Sequence, residues 1–179
     1  MTNESVAQAY HRRCIGKPCR VIESGGKPYL IRIFVGYFEG TTTYLHRFVS
    51  ADAERWLHDH PFEAQSSVIC GGYTEERLVV LSHKGPITAM FSRGPGEYFR
   101  VSSDTFHRIV SVHQDTWTVF NHGPHLEKGW GFLEWIADDS GNHLMLYRQP
   151  FAETNGDHWW QDPGCLRYPP AGIEEGAEK

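Results

Sequence analysis

The chain has 179 residues, room for one domain with extra segments, and its 40% hydrophobic and 13% aromatic content excludes global disorder. A formal net charge of −5 lacks the basic excess of a phosphate-backbone binder, and no apolar run reaches the ~18 residues of a membrane span, so neither nucleic acid nor membrane is an expected partner.

In chain order, residues 1–17 are polar and mixed, with one short helix expected over 6–13. Residues 20–23, the turn SGGKP and residues 29–38 read as a hairpin rich in β-branched and aromatic side chains. Residues 44–49 (YLHRFV) form the next expected strand, and 50–54 a short polar connection. Short strands then follow at 55–60, 65–70, 73–81, 87–91, 97–101, 108–112 and 117–122. Turn chemistry separates them: Gly71-Gly72, residues 82–85, Gly94-Pro95-Gly96 and residues 113–115. Closely spaced short strands with Gly/Pro punctuation predict an all-β antiparallel barrel or jelly roll. No helical pattern alternates with the strands, which disfavours a parallel sheet. Residues 130–136 and 143–148 read as two further strands or as strand and helix. Residues 18–150 are the expected barrel domain, and 151–179 a C-terminal extension with Trp159 and Trp160 as anchors and a disordered acidic end.

The opening MTNESVAQAYHRRC has no apolar core of the secretion-signal kind, so the expected compartment is the cytoplasm. There, Cys14, Cys19, Cys70 and Cys165 are expected as reduced thiols, with Cys70 packing as a small hydrophobe.

Histidine is abundant, with 11 residues, so spacing must sort them. In Trp56-Leu57-His58-Asp59-His60-Pro61, strand alternation points His58 and His60 the same way, where two imidazoles can share a metal ion. Twelve residues after His60 stands Gly72, and eleven residues after Gly96 stands His107.

This pattern resembles the cupin superfamily, whose first motif reads H-x-H, a short spacer, usually Glu, six residues and Gly. Its second motif reads Pro-x-Gly or similar, then a lone His; here the turn is Pro95-Gly96, without the intervening residue. The resemblance covers roughly residues 40–122 and implies a cupin-type β-barrel with His58, His60 and His107 as metal ligands. The family's Glu ligand would stand at Gln65, which implies a three-histidine site. Three neutral imidazoles leave a divalent ion its full charge and favour an anionic or chelating substrate. Gln65 would ligate weakly, orient a bound water or substrate, or simply hydrogen-bond within the barrel.

The local text is also similar to the thiol dioxygenases related to cysteine dioxygenase: His58-Asp59-His60, Gly72, His107-Arg108-Ile109, and a further His fifteen residues on, His122. That resemblance implies Fe(II) and a substrate-assisting His122. The animal enzymes crosslink a Cys and a Tyr at the positions of Gln65 and Pro124, which this chain cannot do.

Among other candidates, Arg47 could bind a substrate carboxylate or lie on a solvated sheet face, and Tyr44 and Tyr73 could line the pocket or simply pack. His122 or Tyr73 would supply proton transfer or orientation. His46 reads as a hydrogen-bonded structural His, and Arg108 points to the face opposite His107. Glu75-Glu76-Arg77 reads as a surface charge cluster, and His83, His113 and His143 as solvated.

The expected function is a cupin Fe(II) dioxygenase of a small thiol- or carboxylate-bearing molecule. The alternatives are an isomerase or lyase using Zn, Mn or Ni, and a non-catalytic ligand-binding cupin. The hairpin at 20–38 could serve as a homodimer face, on fold analogy alone.

Overall fold

The computed structural model describes residues 5–24, 26–52, 56–137, 140 and 143–148. The segment 151–179, with Trp159, Trp160 and Cys165, lies outside the described residues. One helix, α1 (Val6–Cys14), opens the chain behind a capping box in which Ser5 and Gln8 satisfy each other's backbone N–H.

Among the described residues the remaining elements are all strands: β1 (Cys19–Ser24), β2 (Lys27–Phe38), β3 (Thr41–Phe48), β4 (Leu57–His58), β5 (Ala64–Cys70), β6 (Tyr73–Ser82), β7 (Gly85–Arg93), β8 (Tyr98–Val101), β9 (His107–Val112), β10 (Trp117–His122), β11 (Phe132–Ala137) and β12 (His143–Arg148). They form two six-stranded antiparallel sheets, ordered β1-β2-β3-β10-β5-β8 and β12-β11-β4-β9-β6-β7. Neighbours such as β3 and β10, or β4 and β9, are far apart in sequence, the mark of a jelly roll. The fold is therefore all-β, an antiparallel double-sheet jelly roll, and both late segments are strands.

Register decides which side chains face inward. On the first sheet one face carries Leu30↔Phe48, Arg32↔His46↔Thr118↔Val68, Phe34↔Tyr44↔Phe120↔Ser66 and His122↔Ala64↔Val101. This is the barrel's inner wall, and it contributes to two buried clusters around Val68/Tyr73/Ile109 and Phe62/Ala64/Phe120. The opposite face carries Ile31↔Arg47↔Trp117 and packs under α1, where Ala7, Cys14, Ile33 and fully buried Trp117 form a third cluster.

Two expectations are corrected. The strand expected at 55–60 is only Leu57–His58, because the chain leaves the second sheet after His58 and crosses towards β5. Pro61, which has no N–H to give a ladder, sits in that crossing. Cys19 is disulfide-bonded, whereas Cys14 and Cys70 are free. Cys70 does pack half-buried, its thiol hydrogen-bonded to the Asp115 carbonyl. No described helix is long and apolar enough to cross a membrane.

Candidate metal centre

His58 ends β4 and lies directly across from His107, the first residue of β9. His60 approaches from the segment crossing between sheets. The three ring centroids stand 5.1–5.3 Å apart, nearly equilateral, and one potential ligand nitrogen from each lies within 4.8 Å of the others. His60 Nε2 and His107 Nε2 are 2.9 Å apart. Two adjacent nitrogens bound to one divalent ion at its usual ~2.0–2.1 Å distance would stand about 3 Å apart, so the donor set fits such an ion. Burial, then the positive field of His107, Arg32, His122 and Lys128, holds His60 well below the usual imidazole pKa, leaving a neutral ring with a lone pair to share.

Aromatic rings wall the cluster. Phe62 stacks on His60 at 5.4 Å, Phe120 lies 6.3 Å from it, and Phe132 and Trp130 flank His58 at 5.9 and 6.3 Å. Between the two histidines of the motif, Asp59 turns the other way. Its carboxylate accepts from Gly131 N at 2.7 Å and Lys128 Nζ at 2.7 Å, and from the Tyr147 hydroxyl at 3.2 Å. Lys128 also donates to the Ser103 carbonyl, so this buried carboxylate ties the 128–131 segment and β12 to the stretch carrying His58 and His60.

The remaining candidates separate by face. Gln65 pairs across from Asn121 and Arg100, on the β5 face opposite Ala64, Ser66 and Val68. It therefore does not share the imidazoles' side of the sheet. The pairing of β5 with β10 and β8 puts Ala64 on the inner face, where it brings no donor to the site. Arg47 is buried beneath α1 within electrostatic reach of His11 and Asp115, across the sheet from the site. Tyr73 faces inward but packs against the Val68/Ile109 cluster, its hydroxyl bonded to Ser66, and burial raises its pKa above the ordinary value.

Tyr44 and His122 do reach the interior. The His122 ring stacks on Phe62 at 4.1 Å and on Tyr44 at 5.5 Å, and its Nδ1 donates to the Gly123 carbonyl at 2.7 Å. Phe62 thus stacks against His60 as well as His122, and His122 stands outside the ligand triad. Burial lowers the His122 pKa, which the Gly123 carbonyl partly offsets.

Two features were not anticipated. Arg32 faces the barrel interior, its Nε donating to His46 Nε2 at 3.3 Å and its guanidinium 5.2 Å from the Tyr44 ring centre. Burial and that cation hold His46 well below the usual imidazole pKa. Glu75 is fully buried, with Oε2 3.1 Å from His107 Nδ1 and Oε1 2.7 Å from Arg93 Nε and 2.9 Å from Arg77. Burial alone would raise its pKa, but the His107 bond and charge, with Arg77 and Arg93, outweigh it and bring the carboxyl down to about 2. The expected surface cluster is instead split by alternation: Glu75 and Arg77 turn inward, while Glu76, also buried, takes the opposite face and pairs with Arg108. The period-two run Tyr73-x-Glu75-x-Arg77 was the signal for this.

No protein-family model matches the chain, and no curated protein matches it. Similar solved structures include Fe(II)-HppE with the alternative substrate (S)-1-HPP, at 9% identity and TM-score 0.45, covering 60% of this chain and 56% of that one. KdgF from Halomonas sp. matches at 16% identity and TM-score 0.41, covering 59% and 89%. Oxalate oxidase in complex with the substrate analogue glycolate matches at 18% identity and TM-score 0.40, covering 52% and 46%. The chain thus spans just over half the length of the HppE structure. Strand order, register and the imidazole triad define the class on their own terms: an antiparallel double-sheet jelly roll carrying a three-histidine group able to hold a metal ion.

Proposed function

We propose that the protein is a metal-dependent cupin-type enzyme, a non-haem Fe(II) dioxygenase acting on a small thiol- or carboxylate-bearing molecule. The observation behind this reading is the convergence of His58, His60 and His107 within an aromatic wall. When bound there, Fe(II) supplies open coordination positions and redox chemistry for substrate and dioxygen.

The chain's own residues do the rest. The three imidazoles offer neutral nitrogen donors, and Ala64 leaves the neighbouring inner-wall position without a competing one. Phe62, Phe120, Trp130 and Phe132 restrict water. Arg32 takes the role expected of Arg47, its inward guanidinium providing the positive charge for a substrate carboxylate. His122 gives its Nδ1 proton to the Gly123 carbonyl, so its Nε2 is an acceptor that can orient a substrate donor.

The test is metal analysis of anaerobically purified protein, then an oxygen-electrode screen of thiols, amino acids and 2-oxo acids. Bound iron and oxygen uptake with one of these classes is the expected result. Bound Zn, Mn or Ni with turnover in the absence of oxygen would overturn it in favour of an isomerase or lyase. Ligand binding without turnover would overturn it in favour of a binding module.

A further inference from the structure

The buried carboxylate of Glu75 has a role that neither the ligand set nor the substrate wall explains. We propose that Glu75, clamped between Arg77 and Arg93, is a positioning residue that fixes the tautomer and orientation of His107 for metal binding. This rests on reading the three imidazoles as a metal site.

An ionised carboxylate has no proton to give, so the contact to Glu75 Oε2 requires the His107 proton to sit on Nδ1. That leaves the Nε2 lone pair aimed at His60 Nε2, 2.9 Å away. Free neutral imidazole side chains favour the other tautomer, with the proton on Nε2, which would block ligation. A carboxylate behind the ring reverses that preference.

The clamp is what makes the carboxylate dependable. Both cations address the same oxygen: Arg93 Nε donates to Oε1 at 2.7 Å, and Arg77 forms an ion pair with it at 2.9 Å. The other oxygen is thereby left to His107. Neither guanidinium is loose. Arg93 lies 4.2 Å from the Phe99 ring centre and 5.3 Å from that of Phe91, and Arg77 lies 5.7 and 5.6 Å from the same rings. Two positive charges against one negative also mean that Glu75 orients His107 without giving the centre a net negative neighbour. The electropositive character that suits an anionic substrate is preserved.

The geometry gives a sharp consequence for Glu75→Gln. The two arginines would hold the amide oxygen where Oε1 now sits, turning the amide NH2 towards His107. A donor there requires an unprotonated Nδ1, which moves the His107 proton to Nε2. The variant should therefore switch the tautomer and lose divalent-metal affinity by on the order of 10–100-fold.

The experiment uses the full chain. Zn2+ affinity is measured by chelator competition, and the His107 tautomer is read from histidine 15N shifts in the metal-free protein, assigned by the resonance missing in His107→Asn. Glu75→Asp serves as the second variant. It keeps the charge and the arginine pairs but withdraws the carboxylate by about 1.5 Å, one carbon–carbon bond. It should give a smaller loss of affinity and a mixed tautomer. Wild-type affinity and an unchanged His107 signature in either folded variant would overturn the proposal. If the unmodified chain binds no divalent metal while its His107 is Nδ1-protonated, the metal reading fails instead.

Discussion

His58 and His60 turn towards the metal position, while Asp59 between them turns away and holds the strand in place. Its pair with Lys128 and its bonds to Gly131 and Tyr147 are the reason a two-residue strand and the bend after it can hold both imidazoles in place. One consequence is measurable in alkali. Burial, the Asp59 charge and the hydrogen bond to Asp59 push the Tyr147 hydroxyl up to about 12 from an ordinary 10. A folded-state pKa above the unfolded one means its contribution to stability is full below pH ~10 and is lost as pH rises through about 12. The phenolate absorbance titration of the folded protein should therefore show a step near pH 12 that Tyr147→Phe removes. A step for Tyr147 at pH ~10 would contradict the Asp59 contact. His122 is a second residue whose two roles can be separated. Its ring stacks on Phe62, outside the triad, so His122→Asn should leave metal content unchanged. Loss of its oriented Nε2 should weaken binding of the substrate found by oxygen uptake by roughly tenfold, about 1.4 kcal/mol. Unaltered kinetics would remove His122 from the site.

At the scale of elements, the turns between strands carry the topology, and Gly71-Gly72 is the tightest of them. Gly71 has φ +71°, and a Cβ there would stand 2.6 Å from the Thr116 Cα and 2.8 Å from its N. Gly71→Ala therefore combines a left-handed backbone with a clash against backbone atoms that cannot swing away, and should cost about 2–4 kcal/mol in urea unfolding. Gly96, at φ +85° with nothing within 4 Å of a built Cβ, is the control and should cost only about 1–2 kcal/mol as Ala. Equal losses would mean that the Thr116 contact has no energetic weight. These same turns are why the strand pattern could be read from the sequence: Gly-Gly and Gly-Pro-Gly mark chain reversals by local chemistry alone. Residues 55–60 failed as one strand because the bend after His58 depends on Asp59, whose N–H goes to the Gly131 carbonyl, 72 residues away. No local signal announces such a partner. Gln65 is different: the pairing of β5 with β10 and β8, not the spacing from His60, puts Ala64 on the inner face in its place.

Across the whole molecule, the triad and the inner wall of the first sheet come from opposite sides of the barrel. His58, His107 and the Glu75 clamp belong to the second sheet, while Arg32, His46, Tyr44 and His122 belong to the first. The convergent imidazoles could be picked out from sequence because H-x-H is a local motif and His107 stands eleven residues after Gly96. The wall could not, because Arg32 and Arg47 differ only in which face of a six-stranded sheet they occupy, and that is fixed by register with β10 and by α1 covering the outer face. This division also predicts how metal and folding are coupled. The three buried clusters, including Trp117, Ile31 and Ile33, close without any ion, so the metal-free protein should fold cooperatively. An ion that binds only the assembled triad then adds stability by mass action, about 2.7 kcal/mol at a free concentration 100 times its Kd. For a domain of this size that corresponds to a rise in Tm of about 5–10 °C. Titrating Zn2+ or, under anaerobic conditions, Fe2+ into the metal-free chain should give this rise, and the His58→Ala/His107→Ala double variant should give none. An equal rise in the double variant would show that the ion binds elsewhere, and a flat wild-type response would show that the convergent imidazoles do not hold a metal at all.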